Sequence, residues 1–196
     1  ELNVASGVSL LGLHTGIISK LPANAIGELA RSKVRSMNVS DDYLVWDHTE
    51  DARLGAYFYE SATFPRKPQV VYDRKHSSIT RISIDEFPED MYKSTRCFHV
   101  SGITLALCPE ARTCAIEMIK RFKEAGALIS FDVNFRLNLW TGAEAKACIE
   151  QILPYVDIFF CSEDTARLTF LKEGSLEDIM RSFTAEYPIQ IVASTQ

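Results

Sequence analysis

Short apolar, β-prone runs alternate with helical patterns over the second half of the chain. The runs lie at 97–101, 128–131, 156–161 and 189–193, and residues at helical spacing follow each of the first three. Strands that alternate with helices in this way favour a parallel sheet with helices on both faces. The chain is therefore predicted to have an α/β fold with a mainly parallel central sheet.

The helices of this half have clear boundaries in the sequence. The pattern at 109–125 predicts a helix that ends at Gly126, and Thr141 and Ser162 have the side chains of helix N-caps. The inner face of the first helix is predicted to consist of Ala111, Cys114, Ala115, Met118, Ile119 and Phe122.

The first 39 residues continue the α/β pattern. A helix is predicted at 3–12, with Val4, Val8 and Leu11 on one face and Gly12 at its end. A short strand follows at 14–21. A second helix is predicted to begin at Pro22, with an apolar face formed by three residues: Ile26, Leu29 and Val34.

Residues 40–74 have a different pattern. β-branched and aromatic residues alternate with polar ones, and turns rich in Pro, Lys and Asp separate them. Three or four antiparallel strands are predicted here, as a small β insertion in an α/β core formed by residues 1–39 and 75–196. This insertion, which we name the lid, suits either a cover over a pocket or a dimerisation surface.

Composition excludes several classes of protein. Of the 196 residues, 46% are hydrophobic and 24% are charged, the net charge is −5, and no basic run occurs, so neither nucleic acid nor an acidic membrane is an expected partner. No apolar run approaches the ~20 residues of a membrane span. The five cysteines form no Cys-x-x-Cys pair, which favours reduced thiols in a cytoplasmic protein.

The chain begins without methionine and stops directly after a predicted strand, so we expect it to be incomplete at both ends.

Polar residues follow the run at 128–131 at every second position. Asp132, Asn134 and Arg136 would point the same way from an extended chain, at the strand end where open α/β sheets bind ligands. The guanidinium of Arg136 suits a carboxylate or phosphate, and the amide of Asn134 suits a sugar hydroxyl. In the alternative interpretation, Asp132 caps the following turn and Arg136 pairs with it on the surface.

Several segments resemble, in the right order, the ribokinase-like (PfkB) carbohydrate kinases, and within them the 2-keto-3-deoxygluconate kinases. The most specific is Phe131-Asp132-Val133-Asn134-Phe135-Arg136, followed by Leu139-Trp140. The others lie at 1–5, 72–78, 100–103 and 156–168. The resemblance implies a ribokinase-like fold with a small antiparallel β lid. It also implies transfer of a phosphoryl group from ATP, with Mg²⁺, to a hydroxyl of a sugar acid, in a protein that can dimerise through the lid.

The resemblance also implies roles for individual residues. Substrate contacts are expected from Asn3, Tyr57, Tyr72, Arg74 and Arg136, in addition to Asp132 and Asn134, which the alternation of polar residues indicates. Nucleotide contacts are expected from Ser162 and Ser194, and Mg²⁺ contacts through water from Glu163 and Asp164. Alternatively, the two tyrosines pack within the lid, Asn3 caps a helix and Arg74 is a surface charge.

The chain departs from the family pattern at three places. The segment 162–165 reads Ser-Glu-Asp-Thr, where the family has Asn first and Glu fourth, and Gln196 stands where a glycine is usual. No Gly-x-Gly-Asp segment, which carries the family's general base, occurs in the 196 residues, so the catalytic base is expected beyond Gln196.

Two other functions fit parts of the sequence. A catalytically decayed relative that binds a sugar acid as a sensor or scaffold would explain the altered segments. An unrelated α/β oxidoreductase is disfavoured because no Gly-x-Gly-x-x-Gly follows a strand. The four histidines show no spacing typical of metal ligands and are interpreted as structural or surface residues.

Overall fold

The structure is a computed structural model that describes residues 1–194, which divide into two compact units. The first unit ends at Glu86 and the second begins at Phe87. The regular elements of the first unit are the helices α1 (Leu2–Leu10) and α2 (Ala25–Ser36) and the strands β1 (Gly16–Pro22), β2 (Ser40–Asp47), β3 (Ala56–Glu60) and β4 (Gln69–Asp73). Two 3-10 turns, Ser78–Arg81 and Ile84–Glu86, complete it.

Strands β1 and β2 pair in parallel, and α2 connects them. Pro22 still belongs to β1, where it lies opposite Asp47, so the prediction that α2 begins at Pro22 is wrong. The N-cap is Asn24, whose Oδ1 accepts the N–H groups of Ile26 at 3.0 Å and Gly27 at 3.1 Å. A Cβ on Gly27 would lie only 1.9 Å from the carbonyl oxygen of Pro22, so the glycine allows the helix to approach the strand.

The predicted apolar faces of α1 and α2 are only partly buried. Val34 is buried as expected, but Ile26 and Leu29 are exposed, and so are Val4 and Leu11. Helical spacing identifies residues that share a face, but it does not show which face lies against a sheet. In α2 the close approach at Gly27 decides this, because it turns Val34 inward and the other two residues outward.

The lid contains fewer antiparallel strands than predicted. Ser40–Asp47 pairs in parallel with β1, and only β3 and β4 form an antiparallel pair, with Tyr57 opposite Tyr72. Alternation of apolar and polar residues is typical of any strand with one covered face, so it does not reveal the direction of the neighbouring strand. We call residues 56–73 the lid hairpin; the division into core and lid domains stays a prediction.

The second unit contains a parallel sheet of four strands in the order β5-β6-β7-β8. The strands are β5 (Cys97–Ser101), β6 (Leu128–Asp132), β7 (Ile158–Phe160) and β8 (Ile191–Ala193). The helices are α3 (Gly102–Leu107), α4 (Pro109–Glu124), α5 (Gly142–Ile149), α6 (Glu163–Phe170) and α7 (Leu176–Glu186), with 3-10 turns at Glu89–Lys93 and Leu153–Tyr155. The alternation of strands and helices predicted for this half is confirmed, but α3 was not predicted, and β7 and β8 are shorter than expected.

Both faces of this sheet are covered at its centre. Ile129, Ser130 and Phe131 follow one another along β6, and all three are buried. Because successive side chains of a strand point to opposite faces, protein atoms cover the two sides of β6. The six predicted inward residues of α4 are likewise all buried, and Phe159, Phe170 and Phe183 form a further cluster with ring centroids 4.9–6.1 Å apart.

Caps set the starts of α5 and α6 as the sequence predicts. Thr141 forms a capping box with Glu144, and the Oγ of Ser162 accepts the N–H of Thr165 at 3.3 Å. Gly126 has a φ of +91°, a conformation that favours glycine after a helix. Within residues 1–194, no helix is long and apolar enough to cross a membrane.

Candidate functional site

The turn after β6 carries three of the predicted site residues. Oδ1 of the half-buried Asp132 accepts the backbone N–H of Asn134 at 3.0 Å, and Asn134 has a left-handed φ of +38°. Asp132 therefore does fix the turn, as the alternative interpretation expects. The second half of that interpretation is wrong: among residues 1–194 Arg136 forms no ion pair, and its Nη1 donates to the carbonyl of Phe135 at 3.1 Å.

A glycine allows this turn to lie directly against the start of α3. A Cβ on Gly102 would approach the carbonyl oxygen of Val133 to 2.1 Å, which no real side chain tolerates. Ser101 lies opposite Asp132 in the sheet. The ends of β5 and β6 are therefore held together where the polar residues emerge, which is the edge where open parallel sheets bind ligands.

Cys161 lies at the end of the neighbouring strand and stays a neutral thiol. Burial, with a smaller contribution from the nearby charge of Asp132, raises its pKa to about 12. The sequence-based interpretation of this cysteine as a reduced, buried side chain agrees with its 3% exposure. The thiol therefore lines the same edge as Asp132 without contributing a charge or a nucleophile.

The start of α6 carries the predicted nucleotide and metal residues. The Oγ of Ser162 donates to Oγ1 of Thr165 at 2.9 Å, so the threonine at the altered fourth position belongs to the cap. Glu163 forms an ion pair with Arg167 at 2.5 Å, whereas Asp164 is exposed. Within the part of the chain that the structure describes, no cluster of three or more His, Cys, Asp or Glu residues could hold a metal ion.

Ser194 directly follows β8, which pairs with β7, and its side chain is half-buried. Ser162 follows β7 by two residues, so the two serines leave adjacent strands at the same edge of the sheet. The predicted departure at Gln196 lies outside the described residues.

In the first unit, three predicted residues lie together on the lid hairpin. Tyr57 and Tyr72 face each other across the two strands, with ring centroids 6.3 Å apart. The guanidinium of Arg74 lies over the ring of Tyr72, 4.5 Å from its centroid, and within residues 1–194 it forms no ion pair. Both tyrosines are exposed, at 67% and 46%, so they do not pack in a hairpin core.

Asn3 lies in the first turn of α1 and is exposed. The N-cap position of this helix is Glu1, so the alternative that Asn3 is the cap is wrong. The amide of Asn3 is therefore exposed at the start of the helix. Within the described part of the first unit, it forms no hydrogen bond with another predicted site residue.

One residue with a direct contact to the predicted site was not predicted. Arg53 donates hydrogen bonds to the carbonyl groups of Asp73 and Lys75, on either side of Arg74. No local sequence signal points to Arg53, because its partners belong to residues 20 and 22 positions further along the chain.

The whole chain is similar to known proteins. Residues 1–196 match the pfkB family of carbohydrate kinases. A 2-dehydro-3-deoxygalactonokinase from Haloferax volcanii is 32% identical over 196 residues, which are 100% of this chain and 61% of the relative. The chain thus spans less than two thirds of the length of that relative.

Solved structures agree with this match. The 2-dehydro-3-deoxygluconokinase of Thermotoga maritima is 31% identical with a TM-score of 0.90, over 99% of this chain and 61% of that one. A sugar kinase of Pyrococcus horikoshii, solved in complex with ATP, is 27% identical with a TM-score of 0.75, over 87% of this chain and 55% of that one. The predicted ribokinase-like α/β fold is confirmed, and by the match along its whole length the chain belongs to the pfkB family of carbohydrate kinases.

Proposed function

We propose that the whole protein transfers the γ-phosphoryl group of ATP to a hydroxyl of a sugar acid, 2-keto-3-deoxygluconate or a close stereoisomer. The observation that carries the proposal is a pair of arginines, Arg74 and Arg136, that form no ion pair with residues 1–194. Each lies beside groups that suit sugar hydroxyls. A guanidinium binds a carboxylate or phosphate through two parallel hydrogen bonds, so these side chains suit an acidic sugar better than a neutral one.

In the second unit, the turn after β6 supports this substrate class. The bond from Asn134 N–H to Asp132 gives the turn a fixed shape, and Arg136 follows it on the exposed side. In the proposed reaction Asp132 and Asn134 bind hydroxyl groups and Arg136 binds an anionic group. Such positioning lowers the barrier to phosphoryl transfer mainly by orientation.

In the first unit, the lid hairpin supports the same class. Tyr57 and Tyr72 offer phenol hydroxyls, and Arg74 offers a cation on the same side of the hairpin. Their proposed role is to bind the sugar acid and exclude water from it. Asn3 would add an amide from α1.

For the nucleotide, we propose that Ser162 and Ser194 contact the phosphates at the ends of β7 and β8. The relatives support ATP as the donor, since the sugar kinase of P. horikoshii was solved in complex with it. Mg²⁺ would neutralise phosphate charge when bound. Asp164 suits a contact through water better than Glu163 does, because Glu163 is engaged with Arg167.

A second function is favoured by one observation at the same helix. The ion pair between Glu163 and Arg167, together with the altered sequence at 162–165, leaves one exposed carboxylate at the start of α6. A relative that binds a sugar acid without phosphorylating it would show this pattern. A general base for the sugar hydroxyl would be present in the kinase and is not required in the sensor.

The experiment measures ADP release by the whole protein with Mg-ATP and a panel of neutral sugars and sugar acids. We expect release only with a sugar acid, and Arg136→Ala to lower kcat/KM at least about 10-fold, since bonds to charged groups contribute about 1.5–3 kcal/mol. Arg181→Ala, which removes an exposed arginine paired with Glu177 on α7, is the control and should leave the rate unchanged. Binding of a sugar acid without any ADP release would reject the kinase and support the sensor.

A further inference from the structure

One side chain, Arg53, joins the two ends of the lid hairpin. It lies just before β3, and its guanidinium donates to the carbonyl of Lys75 at 2.7 Å and to the carbonyl of Asp73 at 3.2 Å. A third bond, of 2.5 Å, goes to the carboxylate of Asp73. The two carbonyl groups lie on either side of Arg74, so the fork of Arg53 holds the backbone that carries this residue.

Backbone contacts reinforce the same point. The carbonyl of Arg53 accepts the N–H of Ser78 at 2.9 Å, and the buried Ser77 donates its hydroxyl to the carbonyl of Arg74 at 2.8 Å. A Cβ on Gly55 would lie 3.3 Å from the Cβ of Arg74, so the entry and exit strands nearly touch here. The segments 53–55 and 73–78 therefore form one hydrogen-bonded base beneath the hairpin.

Apart from this base, the side chains of the lid hairpin contribute little packing. Tyr57 and Tyr59 on one face and Phe58 and Val71 on the other are all exposed. A two-stranded hairpin without a buried face is marginally stable in water. Within the described chain, the direction of Arg74 is thus set by the base of the hairpin and by the contact with the Tyr72 ring at 4.5 Å.

We propose that Arg53 is a positioning residue that holds Arg74 in place for the carboxylate of an acidic substrate. The inference rests on the proposed function, in which Arg74 contacts the sugar acid. A lysine could not replace it, because an ammonium group is a single point charge and cannot span carbonyl groups on both sides of residue 74. Arg53 itself does not touch the substrate in this arrangement.

Global stability should depend little on Arg53. Its ion pair with Asp73 is partly exposed, and such pairs contribute little to folding. A purely structural role would therefore predict an effect on exchange at the base of the hairpin alone, whereas a positioning role predicts an effect on the base and also on substrate affinity. The lid hairpin offers a matched control, Arg66, which pairs with Glu60 at 2.7 Å and lies away from the base.

The first test needs no substrate. Hydrogen exchange is measured on the whole protein for the amides of residues 73–80, in the wild type and in Arg53→Ala, Arg53→Lys and Arg66→Ala. We expect at least about threefold faster exchange in both Arg53 variants, because the backbone around Arg74 loses its clamp, and unchanged exchange in Arg66→Ala. Unchanged exchange in Arg53→Ala would overturn the proposal.

The second test is a double-mutant cycle on affinity for 2-keto-3-deoxygluconate, measured by calorimetry. Arg53→Ala and Arg53→Lys are expected to weaken binding about 10-fold, and Arg66→Ala not at all. In an Arg74→Ala background the Arg53→Ala change should weaken binding less than about twofold, because a residue that acts through Arg74 has nothing left to position. Additive losses would overturn the positioning role.

The two tests separate this inference from the proposed function. If the wild type binds no sugar acid in the panel, the proposed function fails, and Arg53 loses its assigned role toward substrate. The exchange measurement still decides whether Arg53 clamps the base of the hairpin. Faster exchange combined with a non-additive loss of affinity is the result that the proposal requires.

Discussion

The two edges of the parallel sheet in the second unit each carry an aspartate, and the surroundings of the two carboxylates differ. At the amino edge, the buried Asp157 accepts bonds from Lys123 at 2.6 and 2.7 Å, from the N–H of Ile129 at 2.8 Å and from Gln190 at 3.0 Å. At the carboxyl edge, Asp132 is half-buried and accepts the N–H of Asn134. The first carboxylate is saturated by protein groups, whereas the second retains capacity for a ligand.

This difference separates a structural carboxylate from a candidate binding one. Asp157 joins α4, β6 and the segment before β8, so its bonds contribute to packing of the amino edge. Asp132 shapes one turn and leaves Arg136 without an ion pair in the described chain. A site for an acidic sugar needs polar groups that are not already engaged with each other, and Asp132 and Arg136 at the carboxyl edge meet this need.

The largest change in stability is expected at the amino edge of the sheet, where protein groups occupy the carboxylate of Asp157. Asp157→Ala should lower the free energy of unfolding by about 3–5 kcal/mol, because it leaves a buried N–H and the Lys123 ammonium without their partner. Urea denaturation of the whole protein measures this. Asp90→Ala, which removes an exposed carboxylate of the same unit, is the control and should change stability by less than about 0.5 kcal/mol. Equal effects of the two substitutions would show that the Asp157 bonds do not stabilise the amino edge.

The next prediction tests whether every aspartate at the carboxyl end of a strand belongs to a binding site. Asp47 ends β2 and is 3% exposed. Burial would raise its pKa, but hydrogen bonds from Thr49 and Arg81 help to outweigh burial and lower the pKa to about 2. Because the folded pKa lies below the unfolded value of about 3.9, this carboxylate stabilises the fold above pH 4, and the stabilisation is lost as the pH falls to about 2.

The loss should amount to about 2 kcal/mol at Asp47, since one pKa unit corresponds to 1.36 kcal/mol. It is measured as the stability difference between the wild type and Asp47→Asn, which should shrink between pH 4 and pH 2. A difference that stays constant over this interval would show that Asp47 is not held ionised by its partners. The expected result would show that Asp47, like Asp157, stabilises the fold through its hydrogen bonds.

The smallest expected effect on stability is at the candidate site. Asp132→Asn keeps an oxygen that can accept the N–H of Asn134, so the free energy of unfolding should change by less than about 1 kcal/mol. Affinity for the sugar acid should fall more than stability does, since the charged acceptor is lost. Denaturation and calorimetry on the same variant measure the two quantities, and a large loss of stability would assign Asp132 to structure as well.

The sequence was sufficient where local chemistry decides the outcome. The caps Thr141 and Ser162, the six inward residues of α4 and the strand at 97–101 all follow from spacing and side-chain type. The alternation of three polar residues located the polar segment after β6, but the extended chain predicted there is wrong, because Asn134 has a left-handed φ of +38°. These features depend on neighbours within about four positions, so a single stretch of chain contains the information.

Other features depended on partners that lie far away along the chain. The parallel pairing of β2, the exposure of Ile26 and Leu29, and the contact of Arg53 with residues 73 and 75 could not be predicted, because each depends on where a distant segment lies. Likewise, Asp132 and Asp157 look alike in the sequence, since each is an aspartate next to apolar, β-prone residues. The fold class and the sugar kinase family could be read from the sequence alone. Only the tertiary structure decided which charged groups are satisfied by the protein, since hydrogen-bond partners are fixed by packing rather than by position in the chain.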